Sequence, residues 1–108
     1  MMKSFKGKWK ILEMEQWDRE YIDFAEPGFF EFKGDGTGDF VFGTVSGIMD
    51  ARYEESGKTK RLEFSWEGTA EMDPVSGRGW FELSGENQLY GRLFIHNGDD
   101  SWVKVEKQ

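Results

Sequence analysis

His96 is the only histidine in the chain, and it stands just ahead of Asn97-Gly98-Asp99-Asp100. An imidazole with a carboxylate beside it is the minimum equipment for a general base, so His96 and Asp99 are the one pair to which an enzymatic reading can be attached. Nothing else in the chain completes such a site. There is no cysteine, and no serine sits in a Gly-x-Ser-x-Gly setting, so neither a thiolate nucleophile nor a nucleophile elbow is on offer. A histidine next to turn aspartates is first of all a strand-end residue. Asp35-Gly36-Thr37-Gly38-Asp39 has the look of a calcium loop. It lacks the alternation of oxygen ligands and the distal bidentate Glu that such a loop uses, and so reads as a hairpin turn. With one His and no Cys, a metal set is not indicated, and no cofactor is implied. Asp50 and Arg52 alternate along one strand and read as surface charges, not as an acid–base pair.

A second constellation is aromatic. Trp80, Tyr90, Arg92, Phe94 and His96 share the parity that points away from a core containing Phe81, Leu83, Leu93 and Ile95. Arg92 lies opposite Trp80, the arrangement of a cation over a ring. Val103 and Val105 are expected to join them from the last strand. A wall of this kind is seldom left uncovered. Either the aromatic stripe Trp17, Tyr21 and Phe24 folds over it, or a second molecule does: a homodimer or a protein partner.

These residues are held by a regular beat of short alternating runs: Gly7–Leu12, Phe29–Phe32, Phe40–Phe42, Met49–Tyr53, Leu62–Trp66, Trp80–Leu83, Leu89–Ile95 and Trp102–Val105. Gly-bearing turns of hairpin length separate most of them, which predicts an antiparallel meander. Closing it on itself removes the exposed edges, so the expected fold is all-β, an eight-stranded up-and-down barrel. The turn through Gly36 places Phe32 opposite Phe40 and Phe30 opposite Phe42, with Phe29 outside against Gly43. The turn Glu55-Ser56-Gly57-Lys58 places Met49 opposite Phe64 and Ala51 opposite Leu62. Asp73-Pro74-Val75-Ser76-Gly77 is expected to be a proline-led turn. Only Trp17–Ala25 breaks the beat: its apolar residues recur at helical spacing, as in one short helix capping a barrel mouth.

At 108 residues with 17% aromatics, the chain reads as a single domain, 1–108, able to build one core. The inward parity gathers Trp9, Ile11, Phe30, Phe32, Phe40, Phe42, Met49, Leu62, Phe64, Trp66, Phe81, Leu83, Leu89, Leu93 and Ile95. Eight strands leave an interior that side chains just fill, or that holds one small ligand. Trp9, Trp17, Tyr21, Phe30, Phe42 and Trp66 would line a pocket for a small apolar ligand near the helix-capped mouth. The net charge is −7, with nine acids in residues 13–39 against Arg19 and Lys33. That balance repels phosphate backbones, so no nucleic-acid partner is expected. No apolar run approaches a membrane span, and the basic stretch Met1 to Ile11 lacks an apolar signal core, so the chain reads as cytoplasmic with no membrane partner.

Gly7-Lys8-Trp9 at the head of the first strand resembles the Gly-x-Trp signature of the lipocalins and the wider calycin barrels. The strand count and the helical excursion after the first strand are similar too. The resemblance implies a calycin-like barrel in which Trp9 plugs the closed end, with Arg92 as its partner. The expected function is non-enzymatic binding, of a small apolar ligand or of a protein partner. The alternative is a solid-core module that dimerises through its outer aromatic wall, and an enzyme using His96 and Asp99 ranks third.

Overall fold

In a computed structural model, which describes residues 4–108, the alternating runs form eight antiparallel strands. They are β1 (Gly7–Met14), β2 (Phe29–Phe32), β3 (Thr37–Phe42), β4 (Val45–Ser56), β5 (Thr59–Ala70), β6 (Asp73–Gly85), β7 (Gln88–Ile95) and β8 (Asp100–Lys107), with one short helix, α1 (Arg19–Ile22). Each strand pairs with the next and β8 returns to β1, so the barrel is closed in up-and-down order, consistent with a calycin-like fold.

The core is built from rings set against glycines. Across the ladders Phe32 faces Gly7 and Gly38, Phe40 faces Gly47, Phe64 faces Gly79, Trp66 faces Gly77 and Phe81 faces Gly91. Except at Gly7, where it would meet the Lys107 side chain, a side chain at these glycines would strike the neighbouring ring or the backbone: a Cβ on Gly79 would come within 2.5 Å of the Phe64 ring, and one on Gly47 within 2.6 Å of Phe40. Small barrels alternate large and small inward residues for this reason, because a narrow interior cannot hold a bulky residue on every strand. Phe30, Phe40, Phe64 and Phe81 then touch one another, at centroid distances from 4.9 Å (Phe30–Phe40) to 6.2 Å (Phe30–Phe64). Phe5, Ile11, Ile22, Leu62, Val103 and Val105 complete the filling, each 1% exposed or less.

The faces follow the alternation but two registers are displaced by two residues. Phe30 pairs with Phe40 and Phe32 with Gly38. The Asp35 carboxylate accepts hydrogen bonds from the Thr37 N–H (2.9 Å) and hydroxyl (2.6 Å), while Gly34 and Gly36 take positive φ. This centres the turn on Asp35, not on Gly36. Likewise Met49 pairs with Trp66 and Ala51 with Phe64, because the two-residue turn is Gly57-Lys58, with Gly57 at φ +60°. Phe29 faces Val41, not Gly43; it is buried, though outside the core cluster, beneath the Lys8 ammonium, 4.4 Å from its ring centroid.

Three further expectations are corrected. The β5–β6 turn is Glu71-Met72, both at positive φ, and Pro74 is a strand residue paired with Thr69. Proline is tolerated there because β7 pairs with β6 only from Gly77 onward, so less of the ladder depends on an N–H at this point. Leu83 is exposed, next to a register shift at the end of the β6–β7 ladder. Val103 and Val105 face inward, leaving Trp102 and Lys104 outside. A β-bulge between Ile11 and Glu13 resets the phase of β1, so Met14 turns inward after Ile11. The Arg19 guanidinium holds the bulge by donating to the carbonyls of Ile11 (2.8 Å) and Leu12.

Asp50 and Arg52 stand outside, with 65% and 81% of their side chains exposed, and approach at 3.4 Å. Asp50→Asn or Arg52→Gln is therefore expected to change stability by no more than about 1 kcal/mol, as read by urea unfolding. A loss of several kcal/mol in either variant would mean the pair is buried and the face of β4 is inverted.

Candidate functional site

α1 is shorter than the segment 17–25 from which it was expected. The Asp18 carboxylate accepts from the Tyr21 N–H (2.9 Å) and caps its start. Asp23 ends it, and its carboxylate accepts from the Gly28 N–H (2.8 Å), a bond that, with Arg19 alongside, holds this acid below the ordinary carboxylate range. Trp17 and Tyr21 lie over the mouth, their ring centroids 4.8 and 6.4 Å from that of Phe42. The Tyr21 hydroxyl is 3.1 Å from that of Thr44. Phe24, the third residue of the expected stripe, is 71% exposed. Of the other residues named for an interior pocket, Trp9, Phe30, Phe42 and Trp66 are all buried within the packed cluster. Trp9 donates its indole N–H to the Phe5 carbonyl (2.8 Å). The cation on its ring is Lys107 of the last strand, 4.8 Å from the centroid. Arg92 is not the partner, because it points outward.

The aromatic wall stands where parity put it, and it is not covered by the helix. Two outward rows cross the sheet from β5 to β8: Arg61, Glu82, Tyr90, Lys104 in one, and Glu63, Trp80, Arg92, Trp102 in the next. Trp80 and Tyr90 meet edge to face at 6.1 Å, and Tyr90 stacks on Trp102 at 6.4 Å. Three of the four outer rings also carry a cation: Arg61 over Trp80 at 4.1 Å, Arg78 over Phe94 at 4.4 Å and Lys104 over Trp102 at 5.2 Å. Arg92 is opposite Trp80 in register but does not lie on its ring. Two acids draw it away, Asp100 at 2.6 Å and Glu15 at 3.6 Å. Arg61 takes its place and is itself fixed by Glu82 through its Nε at 2.8 Å and a terminal nitrogen at 2.5 Å.

Trp102, Arg61 and Lys104 were missed as wall residues. The signal for Trp102 is the Trp-Val-Lys-Val alternation itself, in which the two valines form the smaller, uniformly apolar set suited to a narrow interior. Arg61 had no local signal, because its place beside Trp80 depends on the full β5–β6 register.

His96 is exposed at the end of β7, and among the described residues no side-chain hydrogen bond or ion pair joins it to Asp99. Asp99 serves the turn through its carbonyl, which accepts from the Ile95 N–H (3.0 Å). Also among the described residues, no three His, Asp or Glu side chains gather as metal ligands, and no helix is long and apolar enough to cross a membrane. Compared with known proteins, the chain matches no family model, no curated protein and no solved structure.

Proposed function

We propose that this protein is a non-enzymatic binding module that works through the outside of its barrel, with the Trp80–Tyr90–Trp102 wall and Phe94 as the contact surface and a second copy of the chain as the partner. The observation that carries this reading is the division of aromatic residues between two jobs. The inward rings are spent on glycine-backed packing, while a second set is displayed, half-buried, among arginines held in place by acids. Tyr, Trp and Arg are the residues that dominate the energy of interface centres. The wall also carries both signs of charge, so that two copies related by a two-fold axis can set Arg61 or Arg92 against Glu63 or Glu82 of the other.

Sedimentation velocity over a range of protein concentrations tests this. The wild type is expected to show a dimer that Trp80→Ala combined with Phe94→Ser weakens at least tenfold while the circular dichroism stays that of the folded barrel. A wild type that stays monomeric at high concentration would overturn the reading.

A second reading has its own support. The Gly7-x-Trp9 head, with Lys107 laid over the tryptophan ring, favours a lipocalin-like carrier. In that case a small apolar ligand would enter where Trp17 and Tyr21 close over Phe42. Saturable binding of an apolar fluorescent probe, abolished by Trp17→Ala, is the result this reading requires.

A further inference from the structure

Beyond the wall the outer rows continue on β4 to β7, and their character changes. One row runs Asp50, Ser65, Arg78, Phe94; the next runs Ile48, Glu67, Ser76, with His96 beyond, its N–H donating to the Ser76 carbonyl at 2.7 Å. Each central strand presents one serine and one charged residue, Ser65 with Glu67 on β5 and Ser76 with Arg78 on β6, and the flanking strands present Ile48 and Asp50 on one side and Phe94 and His96 on the other. The outcome is a groove of about 710 Å³, within the range of small-molecule sites. Its apolar walls are Ile48, 68% exposed, and Phe94.

The charges of this groove are separated and largely unspent. Glu67 and Asp50 lie toward β4 and β5, and Arg78 and His96 toward β6 and β7. Among the described residues Glu67 makes no ion pair, and Asp50 has only its loose, exposed contact with Arg52. Arg78 lies on the Phe94 ring and, among the described residues, pairs with no carboxylate. Glu67 and Arg78 are diagonal neighbours on adjacent strands, a spacing of about 7–8 Å that long side chains can bridge, yet they do not close on each other.

We propose that this groove binds a small zwitterion with a large apolar body, an amino acid or dipeptide. Its ammonium meets Glu67 and Asp50, its carboxylate meets Arg78 and His96, and its side chain lies between Ile48 and Phe94 over the two serines. Both charges of such a ligand find an opposite charge, whereas an amine or an acid alone would leave one end of the site unanswered. The two hydroxyls of Ser65 and Ser76 can serve either polar end.

This inference does not rest on self-association of the wall, although Phe94 and Arg78 border both surfaces. Its readout is a titration, so either idea can fail without the other. The structure supplies a reporter: the Trp66 indole N–H donates to the Phe94 carbonyl at 3.3 Å beside the groove. In ¹H–¹⁵N spectra of the full chain, L-leucine, L-phenylalanine, L-tryptophan and the dipeptide Phe-Leu are titrated. Phenethylamine and 3-phenylpropionate carry the same body with one charge each. At least one zwitterion is expected to shift the Trp66 indole and Gly77 amide signals saturably, with at least tenfold weaker binding of both single-charge analogues. Glu67→Gln and Arg78→Gln, at exposed positions, should each weaken that response at least tenfold while the remaining signals stay in place. The proposal is overturned if no zwitterion moves these signals, if the amine or the acid binds as well, or if both variants respond like the wild type.

Discussion

Urea unfolding of Phe32→Ala is expected to show a loss of about 3–5 kcal/mol, the cost of emptying a large aromatic site that cannot collapse. Phe42→Ala should cost about as much. Whole domains of this size are stable by roughly 5–15 kcal/mol, so either variant will be partly unfolded or close to it. The expectation rests on what each ring touches. Phe32 is 1% exposed and meets Phe64 and Phe81 at 6.1 and 6.0 Å, with only Gly7 and Gly38 opposite. No side chain across the ladder can move in to fill the space. Phe42 is fully buried between Phe40 and the Trp17 ring that closes the mouth. Phe29 is the control. It is buried, at 8% exposure, but lies outside the core cluster, with the Lys8 ammonium over one face, so water can reach the site once the ring is removed. Phe29→Ala should therefore cost about 1–2 kcal/mol, the transfer part alone. Equal effects at Phe32 and Phe29 would mean that the faces of β2 are not the ones described.

The faces of β2 to β5 and the β6–β7 register through Trp80 and Arg92 were legible in the sequence, whereas the β2–β3 and β4–β5 registers were not, for one physical reason. A slip of one residue would put Phe30, Phe32, Phe40 and Phe42 into water, whereas a slip of two keeps every side chain on its face. Alternation therefore specifies the inside without specifying the partner, and the partner was decided by turn chemistry: the Asp35 side chain at one hairpin and the left-handed Gly57 at another. The same limit governs the wall. Trp80, Tyr90, Arg92 and Phe94 could be placed on one outward face by parity alone. Which cation rests on Trp80 could not, because Arg92 stands opposite it on β7 and Arg61 diagonally across on β5, and the choice falls to the acids beside them, Glu82 and Asp100. Trp17 and Tyr21 followed helical spacing onto the mouth. Phe24 did not, because the Asp23 carboxylate is drawn to the Gly28 N–H and the chain leaves the helix there. Where the registers slipped, the pairing of rings with glycines was out of reach for the same reason, since a two-residue slip changes which glycine each ring covers; on β6–β7, the Trp80–Arg92 register also sets Phe81 against Gly91.

That pairing gives the most demanding expectation. A Cβ on Gly91 would lie 1.9 Å from the Trp80 carbonyl oxygen and 2.6 Å from the Phe81 ring. Gly91 does not sit at a positive φ, so the conflict is purely steric, and the nearest atom belongs to the backbone and cannot rotate aside. Gly91→Ala must push β7 off β6 or distort both, and should cost about 3 kcal/mol or more, at the upper end of overpacking effects. A loss of that size lowers Tm by roughly 10–20 °C in a domain of this length. Gly85→Ala, on the same β6–β7 hairpin, meets nothing closer than Gln88 at 3.8 Å and should stay within about 0.5 kcal/mol of the wild type. Gly91 also lies between Tyr90 and Arg92 in sequence, so the one atom it lacks lets β7 approach closely enough for Tyr90 to reach Trp80 on the outer face. The tight interior and the aromatic wall are thus two sides of the same ladder. Any Gly91→Ala protein that still folds should show a disturbed Trp80–Tyr90 pair, visible as altered near-ultraviolet dichroism. If Gly91→Ala melted with Gly85→Ala, the close approach of the two strands would be wrong, and with it the account of how this barrel holds so many rings.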